Sequence, residues 1–391
     1  MSNDYMKSWL TSGKRALIAG LSLRPIEHPI LPGSPLAVMR GQAEAYFLED
    51  DSGRRYILKR FHAGLRLNRA YLEAVNRLVP LHTGFVAATE RRLLSTRDVT
   101  NGAGCYCPPG LASWLDGVLL MPRIGGVDWS SLADDLREGD IALQRDHRLT
   151  LARGLTELVS LLESRRCAHR DLSCGNVFVN PTTLTIRLID FDSFFHPTLP
   201  MPAETTCATS GYAAPWLWVS NQLSAAASWA TGADRFAMSI LIAEFLVMDR
   251  GSPVAEEGGL FRQDELRARR GPSVDGVRSR LAAEFPAVAG MFDRALHAGH
   301  PGECPTAAEW HLLVEHLLGK RKAPQLKDLA APNFAKFVGA LMRRQPARPL
   351  WPAPRLSELP PLHFNIPKAR PRDVVTPPDN PWRGQPHGAR S

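Results

Sequence analysis

The chain has 391 residues, too many for a minimal domain and enough for one two-lobed domain with a tail. Its hydrophobic fraction of 44% and charged fraction of 22% are ordinary for a soluble globular protein. The net charge of +8 is uneven: from Lys320 onward 14 Lys/Arg stand against 4 Asp/Glu, so the rest is close to neutral and the basic character gives no argument for a core that binds nucleic acid.

In chain order, residues 1–33 read as a lead-in closed by Pro29, Pro32 and Gly33. Short strand-like runs follow at 36–40 and 44–48, on either side of one glycine, and at 54–61 after the turn Asp50-Asp51-Ser52-Gly53. A helix is expected next, with Leu67, Tyr71, Ala74, Val75 and Leu78 on one face. Residues 118–121 form an apolar strand that ends at Pro122 and Gly125-Gly126. Beyond it the pattern turns helical, with Leu149, Ala152, Leu155, Leu158, Val159 and Leu162 at helical spacing. Phe178-Val179 and residues 186–189 read as short strands around an Asn180-Pro181 turn. Residues 236–248 are apolar nearly all round, as a helix in the middle of a lobe is, and 307–318 is a last amphipathic helix. Of 32 prolines, 14 fall after Gly319, so residues 321–391 are expected to be a basic, mostly disordered tail, apart from a short helix around 334–342.

The six cysteines, Cys105, Cys107, Cys167, Cys174, Cys207 and Cys304, include no CxxC pair and fit no zinc spacing. They read as free thiols in a reducing compartment. Residues 1–8 are polar and no apolar leader follows. The 13-residue run at 236–248 contains Glu244 and falls short of the roughly 20 apolar residues that span a bilayer. A cytoplasmic protein without a membrane span is expected.

The chemistry concentrates in His169-Arg170-Asp171-Leu172-Ser173-Cys174-Gly175-Asn176, followed by Leu188-Ile189-Asp190-Phe191-Asp192. Phosphoryl transfer to a hydroxyl needs an acceptor for the hydroxyl proton and hard oxygen ligands for the divalent cations that neutralise phosphates. Asp171 can act as the base, Asn176 supplies an amide oxygen, and Asp190 ends an apolar run, as a residue at a strand end facing a cleft does.

These residues resemble the HRDxxxxN and DFG motifs of eukaryotic-type protein kinases, 19 residues apart from Asp171 to Asp190, within a resemblance that covers about 35–320. It implies an α+β bilobal fold: a small β-rich N-lobe with one key helix over 34–121, and a larger helical C-lobe over 122–320. It implies ATP as phosphate donor and Mg2+, with Mn2+ as an alternative, held by Asn176 and Asp190. Lys59 is similar to the family's strand lysine on the α- and β-phosphates, and Glu73, the only acid of the predicted helix, would be its ion-pair partner. Gly41, Ile57, Leu120 as gatekeeper, Met121, Arg123 and Phe178 would surround the nucleotide. Arg170 would receive a phosphate from the activation segment, with Thr205, Thr206 or Ser210 as the modified residue. Thr209 would contact Asp171, and Asp234 would brace the catalytic loop from below.

The departures bear on activity. Only Gly41 remains of the glycine-rich loop, Ile57 stands for the family's alanine, and Ser173 replaces the lysine two residues after the base. Asp192 replaces the glycine of DFG, a position that would ask it to adopt positive φ, or it adds a carboxylate for the metal. Trp216 and Cys304 together replace a glutamate and its arginine partner, a coordinated loss of both charges.

The reading is an ATP- and Mg2+-dependent kinase of protein Ser/Thr hydroxyls, of bacterial signalling type. The alternatives are an inactive kinase-fold scaffold and a small-molecule phosphotransferase; Arg170 and the Tyr212-Ala213-Ala214-Pro215 segment speak against the latter. A protein substrate is implied. Kinases of this look work beside partner phosphatases or regulatory proteins, although no residue here marks one. Nucleic acid is expected at most weakly, through the basic tail.

Overall fold

The computed structural model describes residues 3–319, except 41–42, 63–68, 101, 103–104, 203–207, 220–221 and 256–257. The expectations for Gly41, Thr205, Thr206 and the tail lie outside these residues.

The chain opens with helix α1 (Asn3–Ser12) and strands β1 (Ala16–Ile18) and β2 (Leu21–Pro25). Ile18 pairs with Leu21 across a two-residue turn. Its residues Ala19 and Gly20 have φ of 54° and 80°. Such left-handed turns match the twist of a hairpin. Strands β3 (Ala37–Arg40), β4 (Ala43–Glu49) and β5 (Arg55–Phe61) follow. The β4–β5 turn is tied by Asp50, whose Oδ1 accepts the amides of Ser52 and Arg54 at 2.9 Å each. Then come α2 (Arg69–Leu78), α3 (Val86–Thr89), β6 (Arg92–Leu93), β7 (Val99–Thr100), α4 (Leu111–Leu115) and β8 (Leu119–Pro122). These strands form one sheet in the order β6-β8-β5-β4-β2-β1-β7, with β3 beside β2 on the same edge of β4. Each recorded pairing is antiparallel. The supposed lead-in is therefore part of the N-lobe: its strands continue the sheet, and Trp9, Ile18 and Leu23 are fully buried in the lobe's core.

Strand alternation sorts the sheet's two faces. Tyr46 and Leu48 of β4, Tyr56 and Leu58 of β5 and Leu120 of β8 point into that upper core. Phe47, Ile57 and Met121 are cross-strand neighbours on the opposite face, as are Ala45, Lys59 and Leu119.

The larger lobe contains β9 (Val127–Asp128), α5 (Trp129–Glu138), α6 (Arg145–Ser164), β10 (Val177–Val179), β11 (Ile186–Leu188), β12 (Trp218–Val219) and β13 (Gln222–Leu223). Helices α7 (Arg235–Val247), α8 (Gln263–Ala268), α9 (Pro272–Glu284), α10 (Pro286–His297) and α11 (Ala307–Leu317) complete it. Every residue of α7 from Phe236 to Val247 is buried, which explains its lack of a polar face. Helix α5 starts on an Asp128 side-chain cap and stops at Gly139 in the left-handed conformation. Tyr71, Leu72 and Val75 of α2 join this lower core and not the upper one. Trp216 packs its ring edge-on to Phe236 at 5.6 Å, and Cys304 is buried in the same core. The fold is the bilobal α+β architecture expected. Among the described residues, no helix is long and apolar enough to cross a membrane.

Candidate functional site

The loop between α6 and β10 is held from beneath. Asp234, immediately before α7 and 2% exposed, accepts the backbone amides of His169 at 2.6 Å and Arg170 at 2.7 Å. Two amides on one buried carboxylate fix the loop where Arg170 takes a φ of 69°. His169 bonds through Nε2 to the carbonyl of Ile189 at 2.7 Å and sets its ring against Phe191 at 4.6 Å. The loop is thereby joined to the segment after β11.

Asp171 is oriented at both oxygens. The Thr209 hydroxyl donates to Oδ1 at 2.7 Å, and Asn176 Nδ2 donates to Oδ2 at 3.2 Å and to the Asp171 carbonyl at 2.8 Å. Burial raises the Asp171 carboxyl above its ordinary range, with the hydrogen bonds from Thr209 and Asn176 opposing. Asn176 spends its amide nitrogen on Asp171, which leaves its side-chain oxygen as the group to offer a cation. Its backbone carbonyl accepts the Ile189 amide at 3.1 Å and so links Asp171 to the residue before Asp190.

Arg170 differs from the expectation. Its Nε donates to the Ser228 carbonyl at 3.0 Å, Nη1 to the Ser193 carbonyl at 2.9 Å, and Nη2 to Ser228 Oγ at 2.6 Å. The guanidinium also lies 4.5 Å from the centroid of the Trp229 ring, and the residue is 3% exposed. The guanidinium is thereby engaged by two carbonyls, a hydroxyl and an aromatic ring of the larger lobe.

Lys59 sits late on β5, facing away from the upper core. Its Nζ donates at 2.6 Å to Asp190 Oδ1 and at 2.6 Å to Asp192 Oδ2. Burial lowers the ammonium's pKa, but the two carboxylates outweigh it and the net shift is upward. Burial pushes Asp190 up, Lys59 opposes, and the charge of Asp192 adds to the rise. Asp192 is shifted down, because Lys59 and Arg91 together overcome its burial.

The expected Lys59–Glu73 pair is corrected. Glu73 is exposed on α2, and the face this helix buries is Tyr71, Leu72 and Val75. The supposed glycine-like geometry of Asp192 is corrected too: the left-handed residue is Asp190, with φ 66°, and Asp192 lies in the 3-10 turn that follows.

The nucleotide-facing expectations divide by strand phase. Ile57 and Met121 are cross-strand partners on the face that carries Lys59. Arg123 donates its amide to the Arg55 carbonyl at 2.9 Å and places its guanidinium 5.5 Å from the centroid of the Phe47 ring. Phe178 is half-buried, out of phase with the buried Val177 and Val179. Leu120 is corrected: it pairs with Leu58 and packs into the upper core. Leu119 and Met121, one residue to either side, share the Lys59 face.

Residues not anticipated are Arg91 and Asn76, which reach the site through Asp192, and Glu244. Arg91 gave no sign because its partners are distant in the chain. Glu244 stood out only as an acid within an apolar helix. The oxygens of Asp190 and Asn176, with an ammonium beside them, suit a divalent cation and the phosphates that bring it.

Residues 125–256 match the family model described as protein tyrosine and serine/threonine kinase. The match covers about a third of the chain and includes the loop between α6 and β10, Asp190 and the segment through α7. No curated protein matches the chain.

Proposed function

We propose that this chain, whose residues 125–256 match the protein kinase family model, transfers the γ-phosphate of ATP, with Mg2+, to Ser or Thr hydroxyls of a protein substrate, in a signalling role of bacterial type. The observation that carries this reading is Asp171, aimed by Thr209 and Asn176 and linked through Asn176 to the Asp190–Lys59 pair. Asp171 takes the proton of the attacking hydroxyl, and burial supports that role by raising its affinity for a proton. Lys59 holds phosphate oxygens, and Ile57, Met121, Arg123 and Phe178 form the nucleotide's surroundings. Asn176 and Asp190 would hold the cation, which when bound neutralises phosphate charge and favours in-line transfer.

The test is incubation of the full chain with labelled ATP and Mg2+, with and without a generic protein acceptor, followed by acid hydrolysis. Phosphoserine or phosphothreonine is expected from the wild type, and Asp171→Asn reduces the rate by roughly 10²–10⁴-fold. Equal labelling of the two overturns the reading. Phosphotyrosine alone overturns its Ser/Thr part.

A further inference from the structure

The lysine that faces the phosphates is ordinarily steadied by a carboxylate on the helix beside it. Here α2 presents neutral groups instead. Its Tyr71 hydroxyl donates to the Phe194 carbonyl, just past the Asp190-Phe191-Asp192 turn. Its Asn76 grips Arg91 twice: Nδ2 donates to the Arg91 carbonyl at 2.9 Å, and Oδ1 accepts from Arg91 Nε at 2.7 Å. Arg91, whose side chain is 2% exposed, then donates from Nη1 to Asp192 Oδ1 at 3.0 Å. Asp192 Oδ2 accepts from Lys59 at 2.6 Å. Asn76, Arg91, Asp192 and Lys59 thus form one chain of contacts from α2 to the site.

Resting on the kinase reading, we propose that Asp192 is the positioning residue of Lys59, anchored by Arg91 and Asn76, in place of a carboxylate on α2. The geometry separates it from Asp190. Asp190 has one oxygen on Lys59, whereas Asp192 has one oxygen on each of two cations. When Asp190 serves other ligands, Lys59 keeps a fixed partner. The same commitment argues against Asp192 as a cation ligand, since binding there would strip Arg91, buried from water, of its counter-charge. Side chains from an interior turn, a loop and a helix are needed, so a change at Arg91 acts on nucleotide through Asp192 without touching it.

The experiment is calorimetric titration of ADP into the full chain, with EDTA and then with Mg2+, for wild type, Asp192→Asn, Arg91→Gln, their double variant and Glu73→Gln, with a thermal melt of each. The inference expects metal-free ADP binding to weaken about tenfold or more in both single variants, since a misplaced contact group costs up to about 100-fold. It expects the double variant to be no weaker than the singles, as for residues acting in one chain, and the Mg2+ concentration for half-saturation to stay at the wild-type value.

Wild-type ADP affinity in Asp192→Asn overturns the inference. So does a raised Mg2+ requirement with metal-free binding intact, which would make Asp192 a cation ligand. Loss of binding in Glu73→Gln overturns it as well. Should Asp192→Asn fail to fold, Asp192→Glu carries the test: weaker ADP binding at an unchanged melting temperature supports the inference, and wild-type affinity overturns it. A wild type that binds no ADP overturns the kinase reading itself, a result distinct from all of these.

Discussion

Glu244 shows how one residue can carry a cost that the fold absorbs. It is fully buried in α7, and its oxygens accept from Trp129 Nε1 at 3.0 Å, the Leu260 amide at 2.8 Å and the Tyr212 hydroxyl at 3.0 Å. All three donors are neutral. A Cβ on Gly259 would meet Glu244 Oε1 at 2.7 Å, so only glycine lets the 258–260 backbone come this close. Burial pushes the carboxyl up from 4.5 to about 7 against the pull of these hydrogen bonds. Its sign follows from linkage: between those values the folded state holds the proton and the unfolded state has released it, so stability falls as pH rises through the window. A shift of this size corresponds to about 3 kcal/mol lost by the time pH exceeds the folded value. Urea melts from pH 4.5 to 8 should therefore show a downward component in the wild type that Glu244→Gln lacks, whatever the variant's absolute stability. Equal pH slopes would contradict this. Through Tyr212 the same carboxyl also ties the Tyr212-Ala213-Ala214-Pro215 segment to α7.

At the scale of elements, caps and strand phase decide what a sequence can reveal. Thr306 caps α11: its hydroxyl accepts the Glu309 amide at 3.2 Å, and Glu309 returns a bond to the Thr306 amide at 2.6 Å. Thr306→Ala removes the first of these and should cost about 1 kcal/mol. In a thermal melt that is about 2–4 °C for a domain of this size; an unchanged melting temperature would refute it. The start of this helix was read from its amphipathic pattern, and the capping box is a local signal that agrees with it. The phase of β8 was not. Residues 118–121 are apolar at every position, so no period-2 alternation shows which side chains face the cleft. Leu120 was placed there, and pairing with Leu58 turns it the other way. The β1–β2 hairpin did leave a signal, since Ala19-Gly20 separates an apolar run from the alternating Leu21-Ser22-Leu23-Arg24, but the strands are only 3 and 5 residues long.

For the whole molecule, the site was legible where its chemistry is local. Asp171 and Asn176 lie on one loop, and Asp190 follows one strand pair later, so spacing announced them. The anchor of Lys59 was hidden, because Arg91 and Asp192 stand 101 residues apart and meet only in the folded chain. Packing also divides the molecule into two cores, and α2 belongs to the lower one. The upper core rests on the N-terminal segment, where Trp9 is fully buried and bonds its indole N–H to the Lys14 carbonyl at 3.0 Å. Trp9→Ala should therefore cost about 3–5 kcal/mol. The loss should stay within the lobe that Trp9 supports, because the upper core is a cluster separate from the one that holds α6 and α7. Native-state hydrogen exchange reads this directly: amides of β1, β2, β4 and β5 should exchange faster in the variant while those of α6 and α7 keep their protection. Uniform acceleration across both lobes would mean instead that the two cores open as one unit. Nucleotide binding should weaken with the upper lobe, since Ile57 and Lys59 stand on the sheet whose other face Trp9 helps to cover.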